Sequence, residues 1–185
     1  ADADPDQAYR RRRPSALTDL PAGTEFSMSS PNGGALCAIA AAAGAAVLAG
    51  CLRNAAAVAR VAAALARGGV IGVLAAGEQW GVDLLSPRSA GMGALRPAIE
   101  DHLGAGALVS ALIGAGHGPA SPEAALAATT YRAAEPYLDD LLAGCASGRE
   151  LAAAGLAADV ELAAQAGCSP VAPLLTGGVF TDGAR

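Results

Sequence analysis

Four groups of residues in this 185-residue chain have the types and spacing to do chemistry. The first is the run Ser29-Ser30-Pro31-Asn32-Gly33-Gly34. It falls between an expected strand and an expected helix. Its backbone amides, beside the positive end of that helix, are placed to hold a phosphate or another anion. Ser29, Ser30 and Asn32 add side-chain donors, although an ordinary strand-to-helix turn would use the same residues. The second is Glu78, which follows Ala75-Ala76-Gly77. Ligands of open α/β sheets bind outside the carboxyl ends of strands, so an acid there is a metal ligand or general base, or else simply solvated. The third is Arg96-Pro97-Ala98-Ile99-Glu100-Asp101. Acids in a first helical turn complement the helix dipole, and the same pair suits magnesium, which takes one or two carboxylates together with waters and substrate oxygens. Arg96 is placed to pair with an anion. The fourth is Arg53-Asn54, on the same expected sheet edge as Glu78. The plainer reading there is a helix cap beside a surface arginine.

Other chemistries lack their residues. A cysteine phosphatase needs an arginine six positions after its cysteine, and neither Cys51 nor Cys145 has one. His102 and His117 are the only histidines, which argues against a zinc centre. The glycine loop has no lysine, so it is not a Walker loop. Gly104 and Gly106 fall inside an expected helix and complete no dinucleotide fingerprint. A nucleotide- or cofactor-binding module would rest on the glycine loop alone.

The elements that must position these groups follow from periodicity and punctuation. Thr24–Met28 alternates like a short strand. Ala35–Ala43 reads as a helix closed by Gly44, and Ala45–Cys51 as a buried strand. Ala55–Arg67 is an amphipathic helix, with Val58, Val61, Ala62 and Leu65 at helical spacing and Gly68-Gly69 ending it. The apolar run Val70–Leu74 has the composition of a strand covered on both faces. Residues 79–95 form a long Gly/Ser/Pro-rich loop, and Pro97–Ile113 a helix. Ser121-Pro122-Glu123 opens another, interrupted near Pro136. Ser147-Gly148-Arg149-Glu150 has the spacing of a capping box. Val171–Phe180 reads as two strands turned at Gly177-Gly178. The order predicts an α/β fold, three-layer α/β/α around a mixed, partly parallel sheet.

Composition narrows the class. Ala occurs 50 times and Gly 24 times, all 12 basic residues are Arg, and the net charge is -5. Ala supplies about half of the 53% hydrophobic content, so each helix has little apolar area to bury. The acidic balance and scarce aromatics argue against nucleic acid. The four scattered cysteines suit reduced thiols in a cytoplasmic protein. Ser27–Leu52 carries no charge and is long enough to span a bilayer, but Pro31-Asn32-Gly33-Gly34 and Gly44 break it, so no membrane span is expected. Residues 1–20, with the run Arg10-Arg11-Arg12-Arg13, read as a mobile tail, and residues 21–185 as one domain.

Five segments in order resemble the 2-phosphosulfolactate phosphatase family. They are Ser30-Pro31-Asn32-Gly33, Ala49-Gly50-Cys51-Leu52-Arg53-Asn54-Ala55, Ala76-Gly77-Glu78, Leu95 to Asp101, and Cys145-Ala146-Ser147-Gly148-Arg149-Glu150-Leu151 with Gly155 and Asp159-Val160. Val171–Phe180 extends the match. The resemblance implies a magnesium-dependent phosphomonoester hydrolase releasing sulfolactate and phosphate on the route to coenzyme M. Its partner is a small anionic phosphoester, and self-association into a homo-oligomer is left open. The resemblance further implies that Ser30, Asn32, Gly33, Arg53, Asn54 and Arg96 bind substrate. Glu78 and Asp101 would be catalytic, and Glu100 and Asp101 would hold Mg2+. Family members usually carry a further strand and an Asp/Arg motif upstream. Without it the alternative is a truncated or degenerate member that binds an anionic ligand or a partner.

Overall fold

The computed structural model describes residues 13–184, apart from 19, 22, 28, 29, 31 and 82–92. Ala and Leu lose little on entering a helix, and the Ala-rich segments fold accordingly. They form α1 (Gly33–Ala42), α2 (Ala55–Ala66) and α3 (Ile99–Gly114), then α4 (Pro122–Ala134), α5 (Leu138–Gly144), α6 (Ala146–Ala153) and α7 (Ala157–Ala164). The expected boundaries hold closely. Gly44 turns the chain out of α1 with φ +81, and Arg67 itself takes the left-handed cap of α2, with φ 49. At α4, Ser121 Oγ accepts from the Ala124 N–H at 3.2 Å, with Pro122 in the first turn. A 3-10 turn over Glu135–Tyr137 makes the interruption expected at Pro136.

The strands are fewer and shorter than the sequence suggests. β1 (Glu78–Gln79) pairs antiparallel with β2 (Leu95–Arg96), placing Glu78 opposite Arg96. β3 (Pro173–Thr176) pairs antiparallel with β4 (Val179–Asp182). Gly177 and Gly178, both at positive φ, make the hairpin turn. The segment expected as a strand at Ala45–Cys51 joins this ribbon only locally. Leu48 bridges Leu174, the Ala49 N–H donates to the Pro173 carbonyl at 2.9 Å, and the Leu175 N–H donates to the Val47 carbonyl at 2.9 Å.

The class is therefore mixed α/β, and both sheets among the described residues are antiparallel ribbons rather than a partly parallel layer. Val70–Leu74 forms no strand, and Val70 is 99% and Leu74 69% exposed. An apolar run becomes a buried strand only where neighbouring backbone pairs its amides. Among the described residues no strand does so here. Residues 24–27 have no regular structure, and Met28 lies outside the described residues. So do residues 1–12 of the expected tail and 82–92 of the expected loop. The ends of that loop are tied together, the Trp80 N–H to the Ala94 carbonyl and the Gly93 N–H to the Trp80 carbonyl, each at 3.1 Å. Pro14–Ala16 make a 3-10 turn whose Ser15 N–H donates to Asp159 Oδ1 at 2.8 Å.

The main core gathers Leu52, Leu103, Ala107, Tyr131, Leu138, Leu142 and Val160 from the helices around α3. Among the described residues Leu103 is the largest side chain that is fully buried. Ala55, Ala107 and Ala164 lie between these larger side chains and let the helices approach closely. A second cluster of Ala57, Val58 and Ala172 joins α2 to the β3–β4 ribbon. Burial on α2 is confined to its first half, and Leu65 is 45% exposed. Among the described residues no helix is long and apolar enough to cross a membrane.

Candidate functional site

The loop before α1, the turn at Gly77 and the first turn of α3 converge. Asn32 stands at the N-cap of α1, but its side chain leaves the helix amides uncapped. Its Nδ2 donates instead to the Gly77 carbonyl and to Glu78 Oε1, each at 3.1 Å. The Gln79 N–H donates to the same Glu78 oxygen at 2.8 Å. Gly77 has φ +73, a conformation in which a side chain would be strained. From the other side its backbone hydrogen-bonds Asp101.

Asp101 is half-buried, and its carboxyl is raised above the usual carboxylate range. Burial is the largest cause, repulsion from Glu100 comes next, and Glu78 adds to it, while the Gly77 hydrogen bond pulls partly back. Crowded carboxylates of this kind favour a proton or a bound cation. Two cavities meet at this point, of about 460 Å³ and 560 Å³, and Ala75, Glu100 and Asp101 line both. Arg53 and Gly104 line the first, and Arg96 and Cys145 the second.

Arg96 is buried, with relative exposure of 6%. It lies 5.4 Å from the Trp80 ring centroid, an attractive cation–π placement. Its Nη2 donates to Glu150 Oε2 at 2.9 Å and to Ser147 Oγ at 3.1 Å. Ser147 in turn donates to Glu100 Oε1. The expected capping box at Ser147 and Glu150 is corrected by this arrangement. Cys145 caps α6, its Sγ accepting from the Gly148 N–H at 3.3 Å, which frees both polar residues to face Arg96.

The family model for 2-phosphosulpholactate phosphatase matches residues 13–178. The chain belongs to this family. No curated protein matches it closely enough to name a nearer relative.

The residues expected from sequence divide into those brought together and those set apart. Asn32, Glu78 and Asp101 form one unit through Gly77, and of the three only Asp101 lines the cavities. Ser30 and Gly33 support it from the loop, where the Ser30 carbonyl accepts from the Gly34 N–H at 3.2 Å and a Cβ at Gly33 would lie 3.3 Å from Ser30 Oγ. Glu100 borders both cavities, but Ser147 holds its Oε1. Arg53 reaches the first cavity with its Nη1 anchored to the Leu162 carbonyl at 2.7 Å and Gln165 Oε1 at 2.6 Å. Asn54 lines neither cavity. It is buried, its Oδ1 accepting from the Cys51 N–H at 2.8 Å and its Nδ2 donating to the Ala49 carbonyl at 3.2 Å. It braces the turn that carries Arg53. Asn54→Ala strands both backbone groups and is expected to cost about 1–3 kcal/mol, read as a lower denaturant midpoint. Ser147, Gly77 and Trp80 were missed as site residues. The chain's single tryptophan beside Gly77-Glu78 was the available signal for one of them.

Proposed function

We propose that the protein is a magnesium-dependent phosphomonoester hydrolase acting on 2-phosphosulpholactate or a phosphoester of the same anionic kind. It would release sulpholactate and phosphate on the route to coenzyme M. Beyond family membership, one observation carries the reading: Asp101 stands where two cavities meet, half-buried and crowded by carboxylates. Arg53 supplies positive charge to the first cavity and Arg96 to the second, which suits a substrate with more than one anionic end. Glu78 lines neither cavity, and it acts on the site through Asp101, whose carboxyl its charge raises while Asn32 and the Gln79 N–H hold its Oε1.

Among the described residues no three acids, histidines or cysteines converge as a ligand set. Magnesium does not require one, because one or two carboxylates suffice beside waters and phosphate oxygens. Asp101 fits as the anchor, with Glu100 of the same helical turn beside it. Bound there, the ion would neutralise charge on the phosphoryl group and orient it.

Phosphate release from 2-phosphosulpholactate and from a generic aryl phosphate tests the reading. Hydrolysis of the former with magnesium, abolished by chelator and restored by added magnesium, is the expected result. No hydrolysis of either ester with magnesium present would refute it.

A further inference from the structure

Ser147 does not line either cavity, yet it links two charged residues that do. Its hydroxyl accepts from Arg96 Nη2 at 3.1 Å and donates to Glu100 Oε1. A hydroxyl has one proton to give, so these two bonds fix its orientation. Arg96 and Glu100 carry opposite charges on adjoining parts of one wall. With no spacer, a buried guanidinium and a nearby carboxylate close into a direct ion pair. That pair would draw the guanidinium, already paired with Glu150, onto a second carboxylate and narrow the second cavity.

We infer that Ser147 is a positioning residue, the spacer that holds Arg96 and Glu100 apart so that the second cavity can take the phosphate or another anionic end of the substrate. Two contacts fix Arg96 around this link, and one feature fixes the helix of Ser147. Trp80 lies against the guanidinium at 5.4 Å, Glu150 pairs with it from the half-exposed side at 2.9 Å, and Cys145 caps the helix that carries Ser147. Capping that helix falls to Cys145, whose Sγ accepts from the Gly148 N–H. The thiol takes that work and leaves the Ser147 hydroxyl to the site.

The inference rests on the phosphatase reading for its ligand, and its test does not depend on turnover. The full chain is titrated with inorganic phosphate by calorimetry. Ser147→Ala is expected to weaken phosphate binding about tenfold, and Ser147→Thr, which keeps the hydroxyl, to stay near wild type. Ser147→Cys fills the same space with a weaker donor and acceptor, so its expected affinity lies between these, and it is the variant to read if alanine fails to fold. KM for the phosphoester should rise in parallel, with kcat changed less. Equal phosphate affinity in wild type and the alanine or cysteine variant, or a threonine variant no better than alanine, would overturn the inference. So would a wild-type chain that does not bind phosphate. A wild type that binds phosphate, loses it with Ser147→Ala and hydrolyses no ester would uphold the spacer and refute the phosphatase.

Discussion

Asp101→Asn is expected to lower phosphoester hydrolysis by about a hundredfold to ten-thousandfold and to raise the melting temperature at neutral pH. The two effects have one cause. The Asp101 carboxyl is raised from 3.8 first by burial, then by Glu100 and more weakly by Glu78, against the hydrogen bond from Gly77. Below 3.8 it is protonated in both folded and unfolded chains and costs nothing. As pH rises from there to the higher folded-state value, the unfolded chain releases its proton before the native one. The native state then binds more protons, so stability falls through that window and stays reduced above it. At neutral pH the ionised Asp101 is therefore a standing cost to the fold. Asparagine keeps the shape and removes the charge. Thermal melts should separate wild type and variant at neutral pH and converge below 3.8. Added magnesium should raise the melting temperature of wild type and leave that of the variant unchanged, since only a native state that binds the ion gains from it. A variant active to within about threefold of wild type would remove Asp101 from the chemistry. An inactive variant that is also less stable would show that its main work is to hold Gly77.

The polar members of this site were legible because the background is so uniform. In a chain built largely of Ala and Gly, an acid after Gly77 or two acids opening a helix stand out, and the structure brings Asn32, Glu78 and Asp101 around one peptide. Helices were legible for a related reason. Caps such as Ser121 and stops such as Gly44 act locally, over a single turn. Among the strands only the β3–β4 hairpin was legible, because its Gly177-Gly178 turn is also a local signal. Val70–Leu74 has the composition of a buried strand, but strand formation is decided by a distant partner, and no periodicity in an apolar run reports one. Ser147 misled for a subtler reason. Its spacing to Glu150 satisfies the capping box, and only three-dimensional placement shows that Cys145 has taken the cap. Asn54 errs the other way, a polar residue of the matched segment whose side chain serves backbone alone.

Gly104 and Gly106 carry the sharpest contrast, and substituting each should give opposite results. In sequence they look like two glycines of an incomplete cofactor fingerprint. In α3 they differ in what a methyl group would meet. A Cβ at Gly106 would lie 2.3 Å from the Ala127 carbonyl oxygen and 2.8 Å from Tyr131 Cβ, both on α4. A Cβ at Gly104 meets nothing within 4 Å. Alanine is the better helix former at either position by about 0.5–1 kcal/mol. At Gly104 that gain stands alone, so Gly104→Ala should be neutral or slightly stabilising. At Gly106 the obstacle is backbone, which cannot rotate away as a side-chain tip can, so α3 and α4 must separate. Overpacking of this kind costs about 1–3 kcal/mol, and the rigidity of both partners places Gly106→Ala at the upper end. The corresponding fall in melting temperature is on the order of 5–10 °C. Equal melting temperatures for the two variants would mean that the helices do not cross this closely. Because α3 opens with Glu100 and Asp101, the same separation would tilt the turn that borders both cavities. Gly106→Ala should therefore also lose hydrolytic activity at temperatures where it remains folded. Gly104→Ala, whose methyl enters the first cavity beside Asp101, is expected to raise KM while the fold stays intact.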